Sequence, residues 1–292
     1  MGFTTSTSKR TYRDECIPHS SNKIVQWLKL DEFQPERAMT SHFVSSKTLF
    51  LIRLVFALYS LVVLWVDIIY TAQKNEIKHF FVYFTDLTFI GLHAYLITTC
   101  IHHVKYLKSG KSKSLESFLK QPSTLNYLYI YLYHSVITYN ILTPVVFWTL
   151  LAKERLFEVT LCILMVEVLL NRMLINIRLV LLVFITLLIY MGLVFIVFAN
   201  EHWWVYPFLD WSAGPGVIIW YLLVSFLTIL CFFFQLGLHS LRDRLVACWT
   251  TCSKNEPVPS TLNHWEPAID QSSGFQPLSS SILLESTVEP IK

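Results

Sequence analysis

Two hydroxyls and a carboxylate stand together in Tyr83-Phe84-Thr85-Asp86-Leu87-Thr88, inside FVYFTDLTFIGLHAYLITTCI, a stretch otherwise suited to lipid. A threonine hydroxyl is a weak nucleophile until an adjacent base takes its proton, so Thr85 and Thr88 need a carboxylate or imidazole in reach. Ionisable side chains are costly against lipid and normally face a bundle interior or water. The others in apolar stretches are Asp67, His93, His134, Glu158 and Glu167. His93 follows Asp86 by two turns on nearly the same helical face, about 10 Å away at about 1.5 Å per residue, so the two cannot hydrogen-bond directly. Glu167 and Asn171 share a face one turn apart, and Glu167 is expected to meet Arg172 or Arg178 as structural glue.

The elements that must position these groups follow from composition. The 292 residues are 54% hydrophobic and 15% charged, too apolar and charge-poor for a soluble globule, so an integral membrane protein is expected. Six apolar stretches run from Leu49 to Tyr70, Phe80 to Ile101, Leu125 to Ala152, Leu156 to Leu170, Leu179 to Phe198 and Gly216 to Leu238. Unbroken runs without period-two alternation argue for helices over a barrel. The expected fold is all-α, a six-helix transmembrane bundle over residues 49–245, with tails at 1–48 and 246–292. If the N-terminus is cytosolic, 18 of the 23 Lys and Arg fall on the cytosolic side and four on the other, which puts both termini in the cytosol. The net charge of +3 is spread over loops and tails, and no basic stripe with aromatics points to nucleic acid. No metal site and no cofactor are expected. The membrane is an endoplasmic reticulum or other endomembrane, or the plasma membrane.

This topology puts Asp67, Asp86, Glu158 and both threonines near the non-cytosolic face. The loop ANEHWWVYPFLDWSAGPG, between the fifth and sixth stretches, reaches the same level. Its tryptophans suit an interfacial aromatic belt, whereas Tyr206, Pro207 and Asp210 interrupt the belt and point to a shaped cap over Thr85. Outside the bundle, KIVQWLKLDEFQ is expected to form a short interfacial helix or a cytosolic linker, and the segment beyond Ser253 is expected to be disordered.

WVYPFLDWSAGPG and YFTDLTFIGL together resemble the androgen-induced membrane-protein family, which includes lipid-ester hydrolases, rolling stone and plant and fungal relatives. The resemblance covers about residues 49 to 245. It implies a membrane lipid or lipid ester as partner, and a threonine nucleophile with a histidine base. Aligning Tyr-x-Thr puts the nucleophile at Thr85, with Thr88 as the alternative. The family histidine lies ten residues before a glutamate that matches Glu167, a position held here by Phe157. A second histidine of relatives is matched by Phe198. Phenylalanine takes no proton, so Glu158, His93 and His202 are the candidates for a relocated base. Asp86, His93, Glu158, His202, Trp204, Tyr206, Pro207 and Asp210 form the candidate binding set.

Three functions follow. The first is a lipid-ester hydrolase with Thr85 as nucleophile. The second is a non-enzymatic lipid- or partner-binding protein of the same fold, acting in membrane organisation or cell fusion. The third is a channel or transporter using Asp67, Asp86, His93, His134 and Glu158, ranked last because the acids cluster at one level and no inverted repeat is visible. The first two are separated by whether an imidazole or carboxylate lies within hydrogen-bond reach of the Thr85 hydroxyl.

Overall fold

In the computed structural model, which describes residues 20–148 and 159–252, every regular element among the described residues is a helix. Long apolar runs fold this way because a helix closes its backbone hydrogen bonds within the segment. Two short helices, α1 (Lys23–Leu28) and α2 (Pro35–Met39), lead into α3 (Ser46–Gln73), followed by the single turn α4 (Ile77–Phe80). Then come α5 (Phe84–Leu119), α6 (Ser123–Val146), α7 (Val159–Leu170), α8 (Val180–Glu201) and α9 (Val217–Cys252).

Among the described residues, four stretches are long and apolar enough to cross a membrane: Ser46–Gln73, Phe84–Ser109, Ile177–Glu201 and Val217–Trp249. Only 17% of the most apolar window of Ile177–Glu201 is buried inside the molecule. Large side chains such as Val62, Ile69, Ile189, Ile196, Leu222 and Phe226 stand on the outer surface, as lipid-facing residues do. The molecule thus fits an all-helical membrane protein.

Two of the six expected stretches, Leu125 to Ala152 and Leu156 to Leu170, run partly outside the described residues and are not among these four. Helix α6 has the length, 24 residues, but its tyrosines, Asn126, His134, Thr138 and Asn140 lower its hydropathy. Those four polar residues are buried, so α6 is sheathed by protein rather than offered to lipid. The described part of α7 has 12 residues, and the expected stretch from Leu156 begins outside the described residues. The second stretch also differs in its bounds. The chain turns after α4, α5 begins at Phe84, and the helix continues through Lys105 and Lys108 to Leu119, where a loop was expected after Ile101. No proline interrupts it before Pro122, which caps α6.

Helices α3, α5 and α6 pack as neighbours, with α2 against α5 and α7 against α3 and α6. Their shared interior holds a buried ion pair. Arg53 of α3 grips the Glu167 carboxylate of α7 through Nε, 3.1 Å from each oxygen, and through a second guanidinium nitrogen. Tyr95 donates to the same carboxylate at 2.9 Å. This corrects the expected partner of Glu167. The Arg172 side chain instead reaches Thr40 and His42, and Arg178 reaches the Trp27 carbonyl, which leaves Arg53 as the guanidinium at the depth of Glu167. The other terminal nitrogen of Arg53, Nη1, donates to the Ala38 carbonyl at 2.9 Å and to His103 Nδ1 at 3.2 Å. Ser46 donates to the Met39 carbonyl, so it accepts from His103 Nε2–H at 3.0 Å, which leaves Nδ1 as the acceptor for Arg53. Each charge is matched, as a buried pair requires.

Candidate functional site

The first turn of α5 positions the threonine. Helix α5 follows Tyr83, whose extended backbone makes it the N-cap, so Phe84, Thr85 and Asp86 carry first-turn N–H groups with no intrahelical carbonyl to meet. The loop after α8 supplies one partner: the Phe84 N–H donates to the Tyr206 hydroxyl at 3.0 Å. Tyr190 of α8 donates to the Val82 carbonyl at 3.0 Å, fixing the same turn from the other side. The loop and the Tyr-x-Thr segment therefore meet, as the cap reading expected.

That loop is built by short-range bonds. His202 ends α8 in the left-handed region at φ 56°, its N–H donating to the Phe198 carbonyl. Pro207 opens a turn of 3-10 helix, Pro207–Leu209, and stands on the outer surface. Asp210 caps the next turn, accepting from the Ser212 hydroxyl at 2.6 Å and its N–H at 2.8 Å. Those two bonds hold its carboxyl below the usual aspartate range. Gly214, at φ 99°, takes a conformation that side chains resist, and Pro215 then leads into α9. Asp210 and Pro207 are thus builders of the cap, not groups turned into a site.

Beneath the cap lies a cavity of about 330 Å³ between α5, α6, α8 and α9. Its wall is almost wholly apolar, with Phe84, Leu187, Met191, Phe208 and Leu209 contributing, and polar groups come from Thr85, Thr143, Tyr190, Tyr206, Tyr221 and Ser225. Leu188, Phe195 and Leu222 line it and also stand exposed on the outer surface, so it opens sideways between α8 and α9. An apolar chamber with a few polar groups is the usual form of a small-ligand site.

Thr85 lines this chamber, and its hydroxyl donates to the Asp86 carboxylate at 3.3 Å. Successive helical residues point about 100° apart, but the short Asp86 side chain folds back to its neighbour. Thr88 is buried and turned away, donating to the Thr85 carbonyl at 2.8 Å and lying 3.3 Å from the Thr143 hydroxyl. His93 belongs to another contact, with Nδ1 2.9 Å from Ser60 of α3. His202 is exposed at the end of α8. Trp204 stacks on Phe198, with ring centroids 4.1 Å apart at 14°. Phe157 and Glu158 lie outside the described residues.

Of the sequence candidates, the structure brings Thr85, Asp86 and Tyr206 together and disperses His93, His202, Pro207 and Asp210. The sequence reading missed Tyr190, Thr143 and Tyr221. Tyr190 had a signal, being the lone tyrosine in the run from Leu179 to Phe198. Comparisons with known protein families, with curated proteins and with solved structures return no match.

Proposed function

We propose that the chain is a multi-pass membrane protein, with six membrane helices and both termini cytosolic, that draws an acyl chain of a lipid ester into the cavity beneath the α8–α9 loop. The ester is presented to Thr85. The observation that carries this reading is the Thr85 hydroxyl on the wall of an apolar, laterally open chamber, with a carboxylate 3.3 Å from it. That distance exceeds the roughly 2.5–3.0 Å of a tight O–H···O bond, and unliganded sites are commonly looser than occupied ones.

The chemistry then runs as acyl transfer. The Thr85 oxygen attacks the ester carbonyl while Asp86 takes its proton, the alcohol leaves with that proton, and water frees the acid by the reverse steps. The first turn of α5 places the positive end of a helix dipole beside the developing oxyanion. The resemblance to androgen-induced hydrolases supports the threonine, and Asp86 does the work expected there of a histidine, since Phe157 cannot. The test is release of fatty acid from a hydroxy-fatty-acid ester by protein reconstituted in bilayers. Thr85→Ala abolishes release, and Asp86→Asn lowers it by about 10²–10⁴-fold.

A second reading keeps the chamber and drops the chemistry. It rests on the absence of any imidazole among the described residues that line the cavity. In that case a photoreactive acyl ester crosslinks to Met191 or Phe208 with equal yield in wild type and Thr85→Ala, and no acid is released. For transport there is less support: His93 and the Arg53–Glu167 pair are closed into local bonds.

A further inference from the structure

Ile24 and Trp27 of α1 are 67% and 52% exposed, although the helix is folded against the rest of the molecule through its buried Leu28. Asn22 caps α1, accepting from the Ile24 N–H at 2.9 Å, and Lys29 ends it in the left-handed region at φ 57°. At about 100° per residue, Ile24 and Trp27 stand about 60° apart on one edge of the helix. Gln26, also exposed, lies well round the helix from that edge. A short helix with one apolar edge left bare calls for something to cover it.

What lies beside the edge points to the occupant. The Asn176 side-chain amide donates to the Leu28 carbonyl at 2.9 Å. The Arg178 guanidinium donates to the Trp27 carbonyl at 2.7 Å and lies 5.6 Å from the Trp27 ring centroid. These contacts join α1 to the start of Ile177–Glu201, a stretch long and apolar enough to cross a membrane. Along it Ile177, Leu181, Ile185, Leu188 and Ile196 are exposed at helical spacing, a stripe on one face that has lipid as its solvent. Leu174, just before the stretch, is exposed as well. Ile24 and Trp27 therefore continue an apolar surface that already faces the bilayer, at the level where a chain enters it. Tryptophan, with an apolar ring and one N–H, suits that level.

We propose that α1 lies in the plane of the cytosolic leaflet, with its Ile24–Trp27 edge inserted at the boundary of headgroups and acyl chains and Gln26 turned to water. The partner is the lipid of the bilayer that the long helices cross, and Arg178 holds the indole at the base of the α8 stripe. The segment that follows ties this helix to the interior: Phe33 and Met39 are buried, and the Ala38 carbonyl accepts from Arg53. The inserted edge thus moors the frame of the Arg53–Glu167 pair to the membrane surface. The choice of leaflet rests on the proposed topology, whereas insertion rests on the Ile177–Glu201 crossing and not on chemistry at Thr85.

The test uses the full chain, labelled with fluorotryptophan, in phosphatidylcholine nanodiscs, with a melting curve as the folding control. The fluorine resonance of Trp27 is assigned by its loss in Trp27→Phe. Dissolved oxygen, which concentrates among acyl chains, and a water-soluble gadolinium chelate are then added in turn. The Trp27 line is expected to broaden with oxygen and to be shielded from the chelate, as is the line of Trp65, exposed on the membrane-length α3. In Ile24→Asp, a charge on the edge opposes insertion, so the Trp27 line is expected to lose broadening by oxygen and gain it from the chelate. A Trp27 line that the chelate broadens and oxygen does not, in folded wild type, would put α1 in water and overturn the proposal. Shielding from both reagents would mean that protein covers the indole, which overturns it equally, as would an unchanged response in folded Ile24→Asp. No reagent here reports on the chamber, so failure of this test and failure of acid release at Thr85 are read separately.

Discussion

The Tyr206 hydroxyl decides how Thr85 is held, because it is the acceptor for the N–H of the preceding residue. Tyr206→Phe keeps the ring stack on Phe208 but leaves a first-turn N–H unmatched. The expected cost is about 1–3 kcal/mol in stability, measured by thermal unfolding in nanodiscs, together with loss of acyl-probe retention in the chamber. An unchanged midpoint and unchanged retention would mean that the cap does not order the α5 turn. At this scale the sequence was legible where a polar side chain broke an apolar run: Thr85, Asp86 and Tyr206 stood out for that reason. It was not legible for Thr88, His93 or Asp210, which are the same residue types spent on a helix carbonyl, on Ser60 and on Ser212. Residue type announces capacity for a bond, and only the fold says which bond is made.

Among elements, the Arg53–Glu167 pair ties α3 to α7 and so sets the frame on which α5 and α6 rest. Arg53→Met or Glu167→Leu alone strands a buried charge and is expected to destabilise the protein by about 3–5 kcal/mol, whereas the double variant recovers most of that loss. A thermodynamic cycle from unfolding in mixed micelles checks this, and simple additivity would contradict it. The pairing was hidden from sequence because the residues are 114 positions apart. An arginine inside an apolar stretch does demand a carboxylate, yet Arg172 and Arg178 lay nearer in sequence to Glu167 and drew the expectation. Helix positions were legible from hydropathy, and their ends less so. The continuation of α5 through Lys105 and Lys108 follows from the lack of a breaker, which a count of basic residues does not register.

For the whole molecule, the proposed topology places the 202–216 loop on the non-cytosolic side and the α1–α2 segment opposite. An engineered glycosylation acceptor near Trp211 is expected to be modified in a microsomal translation assay, and one near Lys23 is not. The reverse pattern would invert the account and exchange the leaflets assigned to the chamber and to α1. Six apolar stretches are read from the sequence, and among the described residues four are long and apolar enough by themselves to cross a membrane. One of the two others is α6, whose buried Asn126, His134 and Asn140 make it look less like a span because other helices surround it. Polar residues lower a hydropathy count in the same way whether they are sheathed by protein or left on a surface.

The central claim is a reactive threonine at the wall of an acyl chamber. It is tested most directly by exposing membranes that contain the protein to a long-chain alkyl fluorophosphonate and mapping the adduct by peptide mass spectrometry. The account predicts an adduct on Thr85, absent in Thr85→Ala and strongly reduced in Asp86→Asn. Folded wild-type protein that takes up the probe reversibly and carries no adduct on Thr85 would contradict it.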